Sequence, residues 1–403
     1  MLSLGDVEAA TDRVAETARH TPLRYSHTLS SMTGAEVHLK YENLQRTGAF
    51  KIRGATNRIA TLSPEEQEAG VVTASAGNHA QGVALAASRM GVDATIVMPE
   101  TAAIAKVQAT QAYGGKVVLH GHDYDAAAER AHEIERDEGR TYVHAFDDPA
   151  VMAGQGTIGL EIIEDCPDVD TVVVPVGGGG LIAGIATAVT ESAPDTRIVG
   201  VEADGAARAG TSLRRGEIVT RDGVDTVADG IATRRVGDRP FAVMEERVDR
   251  VVSVSDSDIA TAMVTLLERT KTVTEGAGAV GAAALLSNAL DLGPEETVVV
   301  VLSGGNVDLN VLTTVIVRGL VETGRYLRIR LVLEDRPGAL EDLVDVFTEH
   351  RANIFAIQHD RTSREIGMSD AEVEIDLETR GPEHVAALLD ALEGAGYQVE
   401  ILE

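Results

Sequence analysis

The sequence has no tryptophan, one cysteine and only five lysines, at positions 40, 51, 106, 116 and 271, against 64 acidic residues. Each scarcity removes a class of protein. The single cysteine, Cys166, excludes an internal disulfide framework and fits a reducing compartment. It stands between Glu164-Asp165 and Pro167, acidic surroundings that raise a thiol pKa, so it is not read as a nucleophile. No apolar run reaches the about 18 residues of a membrane-spanning helix. The start, Met1-Leu2-Ser3-Leu4-Gly5-Asp6, lacks the basic head and apolar stretch of a secretory signal, so a cytoplasmic location is expected. The formal charge of −29 would repel nucleic acid and anionic membranes and argues against both as partners. Abundant carboxylates with few lysines and 3% aromatic residues also fit a surface adapted to high salt, the alternative being an ordinary acidic cytosolic enzyme.

What is present is apolar material for packed cores, 44% of 403 residues, enough for two or three domains. Strand-like runs at 36–40, 71–74, 94–98, 116–119, 171–176, 197–201 and 297–302 alternate with helical patterns at 6–18, 123–137 and from positions 78, 102, 149, 181 and 308, with others near 258 and 276. That alternation predicts a mostly parallel sheet with helices on its faces.

Lysine is so scarce that its retention at Lys51, between Phe50 and Ile52, asks what arginine could not do there. Arginine keeps its proton, whereas a lysine amine in an apolar pocket loses it readily and can form a Schiff base with an aldehyde. The plain alternative is a surface lysine at a helix start, its stem covering apolar neighbours. The longer string Glu42-Asn43-Leu44-Gln45-Arg46-Thr47-Gly48-Ala49-Phe50-Lys51-Ile52-Arg53-Gly54-Ala55 decides the matter. It resembles the cofactor-lysine motif of fold type II pyridoxal-phosphate enzymes, most closely the threonine dehydratases (threonine ammonia-lyases). Lys51 is by that resemblance the catalytic and cofactor-bearing residue, with Phe50 beside it.

Three further stretches carry the resemblance. Ser75-Ala76-Gly77-Asn78-His79 follows a strand and opens a helix, where backbone N–H groups can meet an anion. The family loop of this type holds the substrate carboxylate, and its asparagine bonds the cofactor ring oxygen, so Ser75, Ala76, Gly77, Asn78 and His79 are expected at the substrate and Asn78 also at the cofactor. Related racemases have a second serine where Ala76 stands, the acid and base on the face opposite the lysine, and its absence here favours elimination over racemisation. Gly177, Gly178, Gly179, Gly180 and Leu181 match the family's phosphate loop, and Ser303 in Ser303-Gly304-Gly305-Asn306 matches the serine that bonds the pyridine nitrogen. Glu275-Gly276-Ala277-Gly278-Ala279 also resembles a family stretch, without an assigned role.

A rival reading exists for the glycines. Gly178-x-Gly180-x-x-Ala183 satisfies a dinucleotide fingerprint, with Glu202 at the end of the next strand as the ribose-binding acid. Its mid-chain position counts against an NAD-dependent dehydrogenase. Glu202 also falls where related racemases bind a metal, but the third ligand position holds Arg208, which would repel a cation. No metal is expected, and Glu202 is read as structural or as a partner of Arg208. His120-x-His122 is read as a solvated turn.

After Gly324 the texture changes to strands at 326–333, 353–359, 371–377 and 398–402 with helices between, a ferredoxin-like βαββαβ unit. It resembles an ACT domain, whose Asp-x-Pro-Gly-x-Leu turn implies an amino-acid effector site at Asp335, Gly338 and Leu340 with Asn353, completed by a second copy. The expected fold is therefore an α/β fold type II pyridoxal-phosphate domain over residues 1–325, of two open twisted subdomains, the smaller at about 50–155, followed by an ACT domain at 326–403. The expected function is β-elimination of L-threonine by a homo-oligomer, dimer or tetramer, that binds pyridoxal 5'-phosphate and answers to a branched-chain amino acid. Alternatives are a serine-preferring dehydratase or racemase, the dehydrogenase, and a non-enzymatic amino-acid sensor.

Overall fold

Short valine-rich runs bounded by glycine or polar turns mark strands buried on both faces, as parallel strands under helices must be. In the computed structural model, which describes residues 1–362, 367 and 369–402, such runs build two parallel sheets in the first of two units, Met1–Asp308 and Leu309–Glu403. The first unit begins with β1 (Leu23–Tyr25) and β2 (Glu36–Lys40). Strands β3 (Val71–Ala74), β4 (Ala94–Met98), β5 (Lys116–Leu119) and β6 (Thr141–Tyr142) form the smaller sheet in the order β5-β4-β3-β6, all parallel. The chain then supplies β7 (Thr171–Pro175), β8 (Arg197–Ala203), β9 (Arg250–Val254) and β10 (Thr297–Val301). With β1 and β2 they make the larger sheet, ordered β1-β2-β10-β7-β8-β9 and parallel except for β1.

Every residue of β7 is buried, and Val172 and Val174 enter a core with Ile182, Ile185 and Val189 of the helix Gly180–Ser192. Burying side chains of this size contributes about 1.5–3 kcal/mol each. The smaller sheet has its own core, where Ile52, Ala55 and Ile59 of the helix Lys51–Ala60 meet Ala80, Val83 and Ala87 of the helix Asn78–Met90. The helix Pro149–Asp165 starts where Asp148 accepts the N–H groups of Ala150 and Val151 at 2.7 and 3.1 Å, with Pro149 at its first position.

Most strands lie where the sequence pattern puts them. Those it does not announce are β1, β6 and β9: the first two are three and two residues long, too short to carry a period, and β9 follows an irregular stretch. The helices His27–Thr33 and Pro64–Ala69 are likewise short. No helix among the described residues is long and apolar enough to cross a membrane.

In the second unit the helix Leu309–Glu322 precedes β11 (Tyr326–Glu334), β12 (Asn353–Asp360), β13 (Asp370–Glu378) and β14 (Val399–Ile401). These form an antiparallel sheet in the order β12-β13-β11-β14, with the helices Ala339–Glu349 and Pro382–Gly394 completing βαββαβ. Alternate residues Leu327, Ile329, Leu331 and Leu333 of β11 are buried against Leu343, Phe347, Leu388 and Leu392.

Candidate active site

Lys51 is the first residue of its helix, so its side chain starts at the positive end of the helix dipole. Its Nζ donates to the carbonyl of Ala145 at 2.8 Å and lies 5.1 Å from the centre of the Phe50 ring. Burial disfavours the ammonium and brings the Lys51 pKa down to about 8, while the charge of Glu275 pulls the other way. A useful fraction of the amine is therefore free near neutrality. The Phe50 amide donates to the carbonyl of Ser303 at 3.1 Å, tying the lysine motif to the end of β10.

The amine opens on a cavity of about 780 Å³, within the roughly 300–1,000 Å³ typical of small-molecule sites. It lies where the segments following β3 and β6 face those following β7 and β10. Phe50, Asn78, residues 177–181 and Ser303 all line it. Residues 177–181 form the entry to the helix Gly180–Ser192, whose first N–H groups have no intrahelical partner. Gly179 has φ +90, and a Cβ on Gly178 would collide with the Phe146 ring, so larger residues would both strain and fill this turn.

Of the expected substrate loop, Ser75, Gly77, Asn78 and His79 line the cavity. Ala76 does not: its methyl packs against the smaller sheet's core. The His79 Nε2 lies 2.9 Å from the carbonyl of Val143, and burial, reinforced by the Lys51 charge, lowers its pKa to about 3. It is a neutral ring at working pH. The residue that sequence reasoning left unassigned is Glu275, which lines the same cavity and accepts from Asn78 Nδ2 at 2.6 Å.

Two polar residues of the lysine motif do structural work instead of chemistry. Arg53 is 1% exposed and grips Glu42 with Nε and Nη2 at 2.9 and 2.8 Å. It also reaches Glu161 with Nη1 at 2.6 Å, which anchors the motif to the helix Pro149–Asp165. Both carboxylates hold the Arg53 pKa above its usual value despite burial. Lys40, fully buried, closes the same network on Glu161 at 2.7 Å. Cys166 is also buried, which raises its thiol pKa, as its acidic neighbours do.

The dinucleotide reading fails on Glu202. Its carboxylate accepts the N–H groups of Arg208, Ala209 and Gly210 at 2.8, 2.8 and 3.0 Å and is buried, so it is committed to capping a helix start. The Arg208 guanidinium turns away to the carbonyls of Ala206 and Gly177, the latter at 2.9 Å, and to the Thr233 hydroxyl. A buried cation thus holds the first glycine of the loop from behind. Among the described residues no group of three or more His, Cys, Asp or Glu side chains is arranged to hold a metal ion.

In the second unit, Gly338 with φ +91 precedes the helix Ala339–Glu349, and Asp335 pairs with Arg361 at 3.0 Å. Leu340 is exposed and Asn353 donates to Glu378 at 3.2 Å.

The Lys51 amine, a glycine turn offering helix-start N–H groups and the Ser303 hydroxyl line one cavity and form a donor set that fits a phosphorylated aromatic aldehyde with a ring nitrogen. The class is thus an α/β enzyme with a lysine-bound cofactor. Residues 14–304 match the family model described as pyridoxal-phosphate dependent enzyme, and the chain belongs to that family. Residues 327–396 match the ACT domain. The chain is 47% identical over 402 residues, the full length of both, to a Thermotoga maritima protein named L-threonine ammonia-lyase. Among solved structures, threonine deaminase isoform 2 of Solanum lycopersicum superposes with a TM-score of 0.75 at 42% identity, covering 78% of this chain and 91% of that one. Maize serine racemase superposes with the same TM-score at 36% identity, covering 78% and 96%.

Proposed function

We propose that this chain is a threonine ammonia-lyase, converting L-threonine to 2-oxobutanoate and ammonia. The full-length match to the Thermotoga maritima enzyme carries the reading. Bound pyridoxal phosphate supplies an aldehyde for the amine and a ring that takes up the charge left at the substrate Cα. Residues 177–181 would hold its phosphate, Ser303 its ring nitrogen and Asn78 its ring oxygen. The first N–H groups of the helix Asn78–Met90 orient the substrate carboxylate. Lys51, largely unprotonated once pH passes about 8, accepts the α-proton at Nζ, and the Ala145 carbonyl aims that atom. The β-hydroxyl leaves with its bonding electrons and takes up a proton to depart as water, and the released enamine hydrolyses to the oxo acid and ammonia.

The likeness to maize serine racemase favours a second reading, a serine-preferring enzyme. Because the Ala76 methyl faces the core and not the cavity, the alanine there does not decide between elimination and racemisation. Assay of the purified, cofactor-loaded protein on both amino acids separates the two. The proposal expects a higher kcat/KM for L-threonine; pyruvate from L-serine at a higher kcat/KM would replace it with the second reading.

The residues 326–403 are proposed to regulate this reaction in a cytoplasmic homo-oligomer, with a branched-chain amino acid bound at Asp335, Gly338, Leu340 and Asn353. The turn at a helix start suits an amino-acid carboxylate.

A further inference from the structure

The unassigned Glu275-Gly276-Ala277-Gly278-Ala279 stretch begins at the cavity, and the Glu275 carboxyl belongs to a hydrogen-bond chain that joins four separate motifs. Asn306 Nδ2 donates to the carbonyl of Thr47 at 2.6 Å and to Asn78 Oδ1 at 2.8 Å. Asn78 Nδ2 then donates to Glu275 Oε1 at 2.6 Å. The direction of each bond is forced. Two carbonyl oxygens take both Nδ2 hydrogens of Asn306, and a flipped Asn78 would set amine against amine at one end and oxygen against carboxyl at the other. One Nδ2 hydrogen of Asn78 is left for a ligand oxygen. The Glu275 amide donates to the carbonyl of Gly304 at 3.1 Å, and a Cβ at Gly304 would collide with the Glu275 carboxyl, so the glycine of the serine loop is what admits the acid.

The groups that act on Glu275 come from each surrounding segment: Asn78, Lys106, Asp229 and the backbone of Asn306. Its own charge in turn acts on Lys51. Burial raises the carboxyl pKa to about 7, against the Asn78 bond and the Lys106 charge. The group is therefore poised to ionise where enzymes work.

We propose that Glu275 is a positioning residue of this active site: with Asn306 it locks the Asn78 carboxamide so that its spare N–H serves the cofactor. The inference rests on the pyridoxal-phosphate reading of the cavity.

The test follows cofactor retention by the loaded protein, read as decay of the visible band at about 410 nm on dilution. Glu275→Ala and Asn306→Ala each unlock Asn78, so either variant should lose cofactor about tenfold faster. Glu275→Gln keeps an oxygen for Asn78 and should return retention most of the way to that of the parent. Unchanged retention in folded Glu275→Ala or Asn306→Ala overturns the locking role, and Asn306→Ala decides it even where Glu275→Ala fails to fold. A parent protein that develops no visible band contradicts the proposed function instead.

Discussion

The cavity of the first unit and the turn at 335–340 of the second are both helix starts entered through glycine, yet they differ in what surrounds them. In the first unit, Asn78 and Glu275 in the cavity and Arg208 behind its glycine loop are fixed by partners from distant segments before any ligand arrives. At the turn, Asp335 pairs with Arg361, and Arg336 with Asp342, as ion pairs open to water. A site that must stabilise charge during a reaction needs dipoles already fixed in place. A site that reports an effector needs only differential binding between two states, and residues free to change partner serve that purpose.

The comparison breaks most sharply at Lys51. Replacing it with alanine removes a covalent partner and a base together, so deamination should fall by more than about 10⁴-fold while the protein remains folded. Ammonia release within about tenfold of the parent would remove the lysine from the chemistry.

The same substitution in the two regions sharpens the contrast. Arg53→Ala leaves Glu42 without its buried cation and Glu161 with Lys40 alone, and breaking such a pair costs about 3–5 kcal/mol, read as a lower denaturant midpoint. Arg336→Ala removes exposed pairs to Glu334 and Asp342 and should leave the midpoint unchanged. Equal losses would mean that the motif's ion network has no special standing.

A smaller effect is expected at Arg208. Arg208→Ala frees the Gly177 carbonyl, and loss of a charge-assisted bond of about 1.5–3 kcal/mol should weaken pyridoxal-phosphate retention by about tenfold or more. Equilibrium dialysis showing parental affinity would detach the arginine from the loop. Smallest in the comparison is the effector response: coupling of about 1–3 kcal/mol would shift threonine half-saturation by about five- to 150-fold with isoleucine, and truncation after Gly324 should abolish the shift. A full-length protein whose saturation curve ignores both isoleucine and valine makes the second unit an assembly module.

How far these features could be read beforehand follows from the range of their contacts. The lysine, glycine and serine motifs each concentrate their chemistry in a few neighbouring residues at a strand end, so residue type and order carry the signal. The buried valine runs gave away the main strands for the same reason. Glu275 was visible as a residue but not as a function, because its meaning lies in a bond to Asn78, 197 positions away. Arg53 likewise takes its role from Glu161, 108 positions on, which no local pattern announces. Ala76 shows the opposite limit: its place in the loop was right, but the direction of its methyl depended on the core behind it.

The central claim is that one lysine among five carries the cofactor, and borohydride trapping tests it most directly. The protein is incubated with pyridoxal phosphate, reduced and mapped by peptide mass spectrometry. Label on the peptide containing Lys51, and on none carrying Lys40, Lys106, Lys116 or Lys271, is the predicted result. Stoichiometric label on any of the other four with Lys51 unmodified would contradict the account.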